Sequence, residues 1–116
     1  MVNTKIYDMP FSKIYPLYIA KVQKKNRTTE EVDQVILWLT GYDKDSLEMI
    51  LTNDISVRAF FNHAPQFNPK ASLITGVICG VRIEEIKDPL MKKIRYLDKL
   101  IDELARGKAM DKILRQ

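Results

Sequence analysis

The chain holds one histidine and one cysteine, His63 and Cys79, its natural candidates for nucleophilic or acid–base chemistry. A thiol beside an imidazole forms a nucleophile–base pair only if folding brings the two together. Cys79 lies within Val77-Ile78-Cys79-Gly80-Val81, an apolar run in which a thiol reads as an inert core residue. His63 precedes Ala64-Pro65 at an expected helix end, where a capping or surface role is the simpler reading. Neither is spaced with a second soft ligand, so no metal site is expected. Asp43, Asp45 and Glu48 read as a helix cap and a solvated face, without the pattern of a calcium loop. Asp98 and Asp102, four apart, could serve as paired carboxylates in a cleft. Arg95, Lys99 and Arg106 stand near enough along a helix to make them an ion-paired, solvated face instead. Gly76 and Gly80 lack the Lys-Ser/Thr that completes a phosphate loop, and no cofactor is implied.

The remaining candidates are aromatic and basic. Tyr7, Phe11, Tyr15 and Tyr18 crowd the N-terminal region, and Trp38 and Tyr42 flank the end of an expected second helix. Core packing is the preferred reading of these rings. The alternative is an apolar pocket or partner surface edged by tyrosine hydroxyls. Tyr7, Tyr15, Tyr18, Trp38, Tyr42 and His63 are therefore the candidates for a ligand or partner surface. Lys21, Lys24, Lys25 and Arg27 form the best basic patch, with no interleaved aromatic to stack on bases. A helix-turn-helix around Gly41 is disfavoured, because its recognition helix would carry Asp43, Asp45, Glu48 and Asp54 against Lys44. Specific nucleic-acid binding is not expected. Weak association through Lys21 to Arg27 is the furthest alternative.

The 116-residue length suits one domain spanning 1–116. A chain of this size buries roughly two-thirds of its unfolded surface, enough for one core. With 46% hydrophobic and 29% charged residues, the balance is globular rather than disordered. No apolar run reaches the roughly 18 residues of a membrane span, and Met1 to Pro10 lacks the apolar stretch of a secretion signal. A single cysteine excludes an intramolecular disulfide and fits a reducing compartment, so a cytoplasmic protein is expected. The net charge of +4 divides into +5 over 1–27, −5 over 28–65 and +4 over 66–116. The blocks either neutralise one another within the domain, the preferred reading, or attract an acidic partner or a second copy.

The elements that must position these residues read as helices. The first begins near Ser12 or Tyr15, with Pro16 in its first turn, where a missing N–H costs least. Thr28 and Glu31 fit a capping box, Val32, Val35, Ile36 and Leu39 form one face, and Gly41 is the stop. Asp43 caps a third helix ending at Asn53 or Asp54, and Ser56 a short fourth ended by Pro65. Asp88 and Pro89 open the last long helix, whose stripe is Leu90, Ile94, Leu97, Ile101 and Leu104, and Gly107 ends it. Residues 109–114 allow a short final helix. Residues 69–86 favour a buried helix, with Gly76 and Gly80 letting a neighbour approach closely, and a short hairpin is the alternative. The fold class is all-α, a compact bundle of about six helices.

Several separated motifs carry a resemblance. They are Tyr7-Asp8-Met9-Pro10-Phe11, Tyr15-Pro16-Leu17-Tyr18, Trp38-Leu39-Thr40-Gly41-Tyr42, Leu73-Ile74-Thr75-Gly76, and Asp88-Pro89-Leu90-Met91 followed by Ile94-Arg95-Tyr96-Leu97-Asp98-Lys99-Leu100. Together they resemble a bacterial family of small proteins, domain of unknown function 2200. The resemblance covers nearly the whole chain and implies a small bacterial protein made of this one domain. It supplies no activity and no site residue. The leading functional expectation is a non-enzymatic helical module that self-associates or engages another protein. The alternative is a small-molecule or enzymatic site in an aromatic pocket near Tyr7, Tyr15, Trp38 and Tyr42, with His63 as a further member.

Overall fold

A computed structural model describes residues 4–115. After a 3-10 turn at Thr4–Asp8, six α-helices follow: α1 (Phe11–Gln23), α2 (Thr29–Thr40), α3 (Lys44–Leu51), α4 (Val57–Asn62), α5 (Pro89–Ala105) and α6 (Met110–Ile113). A two-stranded antiparallel hairpin, β1 (Val77–Ile78) and β2 (Val81–Arg82), is inserted before α5. The architecture is mostly α, as the apolar periodicity implies.

Local chemistry sets most helix ends. The capping box at α2 is complete: Thr28 Oγ1 accepts from the Glu31 amide at 3.2 Å, and Glu31 Oε1 accepts from the Thr28 amide at 3.0 Å. Asp43, Ser56 and Asp88 each accept a hydrogen bond from the first turn of α3, α4 and α5. The start of α1 differs from expectation. It begins at Phe11 after Pro10, which makes no side-chain cap, and Pro16 therefore lies past the first turn. Long-range bonds anchor this end instead, from the Phe11 amide to Ile55 O and from the Val57 amide to Met9 O, each 2.8 Å.

The core gathers around α5. Ile94, Leu97, Leu100, Ile101 and Leu104 are sealed from solvent, together with Ile36 and Leu39 of α2. Burying each such side chain contributes about 1.5–3 kcal/mol. Glu103 is also buried; Arg115 and Lys108 neutralise it and fold the C-terminal segment, with Ile113, back onto the core.

The buried helix expected over 69–86 is not formed. Residues Pro69–Leu73 make a 3-10 turn, then the chain doubles back at Cys79-Gly80 with Val77 facing Arg82 and Ile78 facing Val81. Cys79 and Gly80 have φ of 52° and 78°, the two positive values of a type I′ hairpin. Gly80 therefore serves the turn rather than a close helix contact, and an added Cβ there would meet nothing within 4 Å. The apolar residues expected on one buried helix are divided as well: Ile74, Ile78 and Ile83 are buried, whereas Leu73, Val77 and Val81 are exposed.

Gly41 is held more tightly. Its φ is +81°, and a Cβ would stand 2.8 Å from the Gln66 amide nitrogen and carbonyl oxygen. Gly107 has a similar φ of +88° but open space. Gly107→Ala is expected to lower stability in urea unfolding by about 1–2 kcal/mol, the left-handed cost alone. Gly41→Ala must lose more, because the Gln66 backbone has to move. Equal losses would contradict this packing.

Candidate functional site

The four candidate tyrosines are pinned by their hydroxyls. Tyr7 donates to Asp88 Oδ2 at the start of α5, and Tyr15 donates to Asp33 Oδ1 on α2. Tyr18 donates to Asp98 Oδ1 of α5 at 3.2 Å, and Tyr42 to the Phe60 carbonyl at 2.7 Å. Beneath them, Phe11 and Phe60 stack with centroids 3.9 Å apart, and Phe61 meets Phe60 edge-on. Tyr15 and Tyr18 border Phe11, and Tyr42 borders Phe60. The crowding of rings near the N-terminus is thus a packed cluster. Tyr7 is buried, with the Arg58 guanidinium over its ring at 5.1 Å. Trp38 is half-buried and lines a shallow surface depression with Asp33, Leu37 and Lys44. Tyr15 lines a different one with Asp33, Asp45 and Glu48.

His63 is exposed at the C-terminal end of α4, the capping position expected of it. Cys79 is exposed at the hairpin tip, which corrects its reading as a core thiol: the turn turns it outward. Asp98 and Asp102 are ion-paired as expected but not solvated, with side chains 17% and 15% exposed. Asp98 accepts from Arg95 at 2.9 Å, and Asp102 pairs with Lys21 at 3.3 Å and Arg106 at 2.8 Å. Their faces turn toward α1, which sequence spacing within α5 does not reveal.

The basic patch divides. Arg27 turns away, donating to Glu31 and to the Lys108 carbonyl. Lys21, Lys24 and Lys25 stay together along a depression of about 590 Å³ between α1 and α5. Leu17, Ala20 and Ala105 form its apolar lining, and Arg106 joins the rim. A second groove, of about 790 Å³, runs between the hairpin and the first half of α5. Sequence reasoning missed it because it exists only once residues 77–82 form a hairpin. The Cys-Gly pair between β-branched residues was the available signal.

Protonation follows these contacts. The Tyr7 phenol is pushed up to about 12, by burial first and by its hydrogen bond to Asp88 second. Tyr15 and Tyr18 rise as well, burial leading in both, with Asp33 and Asp98 adding to it. The Asp88 carboxyl is held below the usual range, chiefly by the Tyr7 hydroxyl. Burial raises Asp98 despite the opposing Arg95 guanidinium.

Fold and faces together define a class: a mostly helical domain built on one long helix, with a small hairpin laid against it and open grooves along that helix. The chain belongs to the family described as uncharacterized protein conserved in bacteria, domain of unknown function 2200, whose profile matches residues 5–115. It is similar to the crystal structure of uncharacterized protein SP1917, with 48% identity, a TM-score of 0.93, and coverage of 97% of this chain and 93% of that one. Comparison with curated proteins finds no match. Among the described residues, no helix is long and apolar enough to cross a membrane.

The raised phenols give a pH prediction. A tyrosine whose folded pKa exceeds the ordinary 10.0 adds stability that is complete below pH 10 and lost as pH climbs toward 12. Urea midpoints should therefore fall across that alkaline window, and absorbance should show tyrosinate appearing only as the fold is lost. Tyr7→Phe and Tyr15→Phe should flatten the slope. Ordinary titration near pH 10 in a still-folded protein would contradict the pinned geometry.

Proposed function

We propose that the chain, acting as one helical domain over residues 1–116, is a non-enzymatic self-association module. The observation that carries this reading is the α1–α5 depression. Leu17 is 64% exposed there, surrounded by Lys21, Lys24, Lys25 and Arg106. Its one lining carboxylate, Asp102, is already shared by Lys21 and Arg106. An apolar centre with a cationic rim fits an acidic segment carrying an apolar side chain.

The same chain presents such a segment. On α3, Met49 is 67% exposed, and Asp45 and Glu48 are exposed beside it. This acidic face lies toward Tyr15, whereas the basic depression begins at Leu17. Positions two apart on a helix point about 200° from one another, so the two faces look in different directions. The fit is therefore between copies, α3 of one on the α1–α5 face of the next. The lining residues of the depression include no aromatic ring for base stacking, which favours this occupant over nucleic acid.

Light scattering at low salt should show mass rising with concentration, and added salt should reverse it. The double variants Lys24→Glu/Lys25→Glu and Asp45→Lys/Glu48→Lys should each be monomeric, while an equimolar mixture should associate again. A protein that stays monomeric at all concentrations would overturn the reading. So would a monomer that binds a single-stranded oligonucleotide through the same lysines.

A further inference from the structure

The second groove carries an inference separate from self-association. It is bounded by the hairpin tip, Cys79 to Arg82, by the connection from Glu85 to Asp88, and by Met91 and Arg95 of α5. Its walls have two characters. Val81, Ile86 and Met91 are apolar, and Arg82, Lys87 and Arg95 are cationic. Two lining carboxylates, Glu85 and Asp88, face the three cations, of which Arg82 also pairs with Glu84 and Arg95 with Asp98.

Arg95 is the telling member. Its side chain is 24% exposed, and one end of the guanidinium is occupied, Nη1 donating to Asp98 at 2.9 Å. Its Nε is buried without any hydrogen-bond partner, the one such side-chain atom found among the described residues. A buried unsatisfied donor costs about 1–3 kcal/mol, more when charged, so an acceptor admitted to this edge of the guanidinium by a small side-chain shift would relieve that cost. Tyr18 and Arg95 both donate to Asp98, so the guanidinium is held in place rather than free to swing. At the mouth, Cys79 adopts a positive φ of 52°, a conformation non-glycine residues rarely take.

We propose that this groove binds a small amphiphilic monocarboxylate. The carboxylate accepts from the free edge of Arg95 with Lys87 nearby, and the apolar tail lies against Val81, Ile86 and Met91. A monoanion with an apolar tail uses both walls, whereas a phosphate dianion has no apolar part to place and sets twice the charge against Asp88 and Glu85.

The probe is hexanoate, followed by ¹⁵N NMR of the intact protein, in which arginine Nε–H groups give their own signals. Titration should shift the Arg95 Nε–H signal and the amides of residues 79–88 saturably. Hexanamide and inorganic phosphate should not. Arg95→Lys keeps the charge beside Asp98 but loses the planar fork, and should weaken binding at least about tenfold. Lys87→Glu, an exposed site that does not threaten folding, should weaken it at least about threefold. Alkylation of Cys79 by neutral iodoacetamide should slow at saturating hexanoate. No saturable shift, an equal response to hexanamide or phosphate, or unchanged affinity in both variants would overturn the proposal.

Discussion

The pairing of two inward-facing carboxylates on α5 with groups from α1 is the constraint on which the rest of the structure depends. Asp98 and Asp102 lie one turn apart and mostly shielded from water. A shielded carboxylate without a partner is costly, and here α1 supplies one for each, Tyr18 and Lys21. Apolar contact alone would let α1 slide along α5. A one-turn slip of about 5.4 Å would break both contacts from α1 and leave each carboxylate only its partner on α5, Arg95 or Arg106, so the polar pairs set the register. Once α1 is placed, Phe11 reaches Phe60, and α4 is tied to the N-terminal segment.

That register also decides which surfaces remain open. The hydroxyls of Tyr7, Tyr15, Tyr18 and Tyr42 are committed to internal acceptors. Two of the open surfaces lie along α5. Toward its C-terminal end, α1 brings Leu17 and three lysines beside Ala105 and Arg106. Toward its N-terminal end, the hairpin lies over Met91 and Arg95, and Lys99 donates to the Val77 carbonyl to hold it there. One helix thus organises a polar-rimmed apolar face and a separate mixed groove.

What was legible in the sequence was what depends on neighbours in the chain. Thr28, Asp43, Ser56 and Asp88 cap their helices through bonds spanning two or three residues, and Gly41 turns the chain where only a left-handed residue fits. The apolar stripe of α5 needed only its own spacing. What was hidden depends on distant partners. Asp98 meets a hydroxyl 80 residues away, so it reads as solvated until α1 is in place. The start of α1 rests on a bond to Ile55 rather than on a cap. Residues 74 and 78 suit a helix and a hairpin alike. The burial of Ile78 and Ile83 while Val77 and Val81 stay exposed belongs to the hairpin. The groove residues Arg82, Lys87 and Arg95 had no sequence signature, because their proximity follows from that hairpin.

The central claim is that the Tyr18–Asp98 contact is an energetic clamp between α1 and α5. A double-mutant cycle on Tyr18→Phe and Asp98→Asn, read by urea unfolding at neutral pH, tests it most directly. The account predicts that each change destabilises the protein and that the coupling between them is about 1 kcal/mol or more. Strictly additive losses, with coupling within about 0.3 kcal/mol of zero, would contradict it.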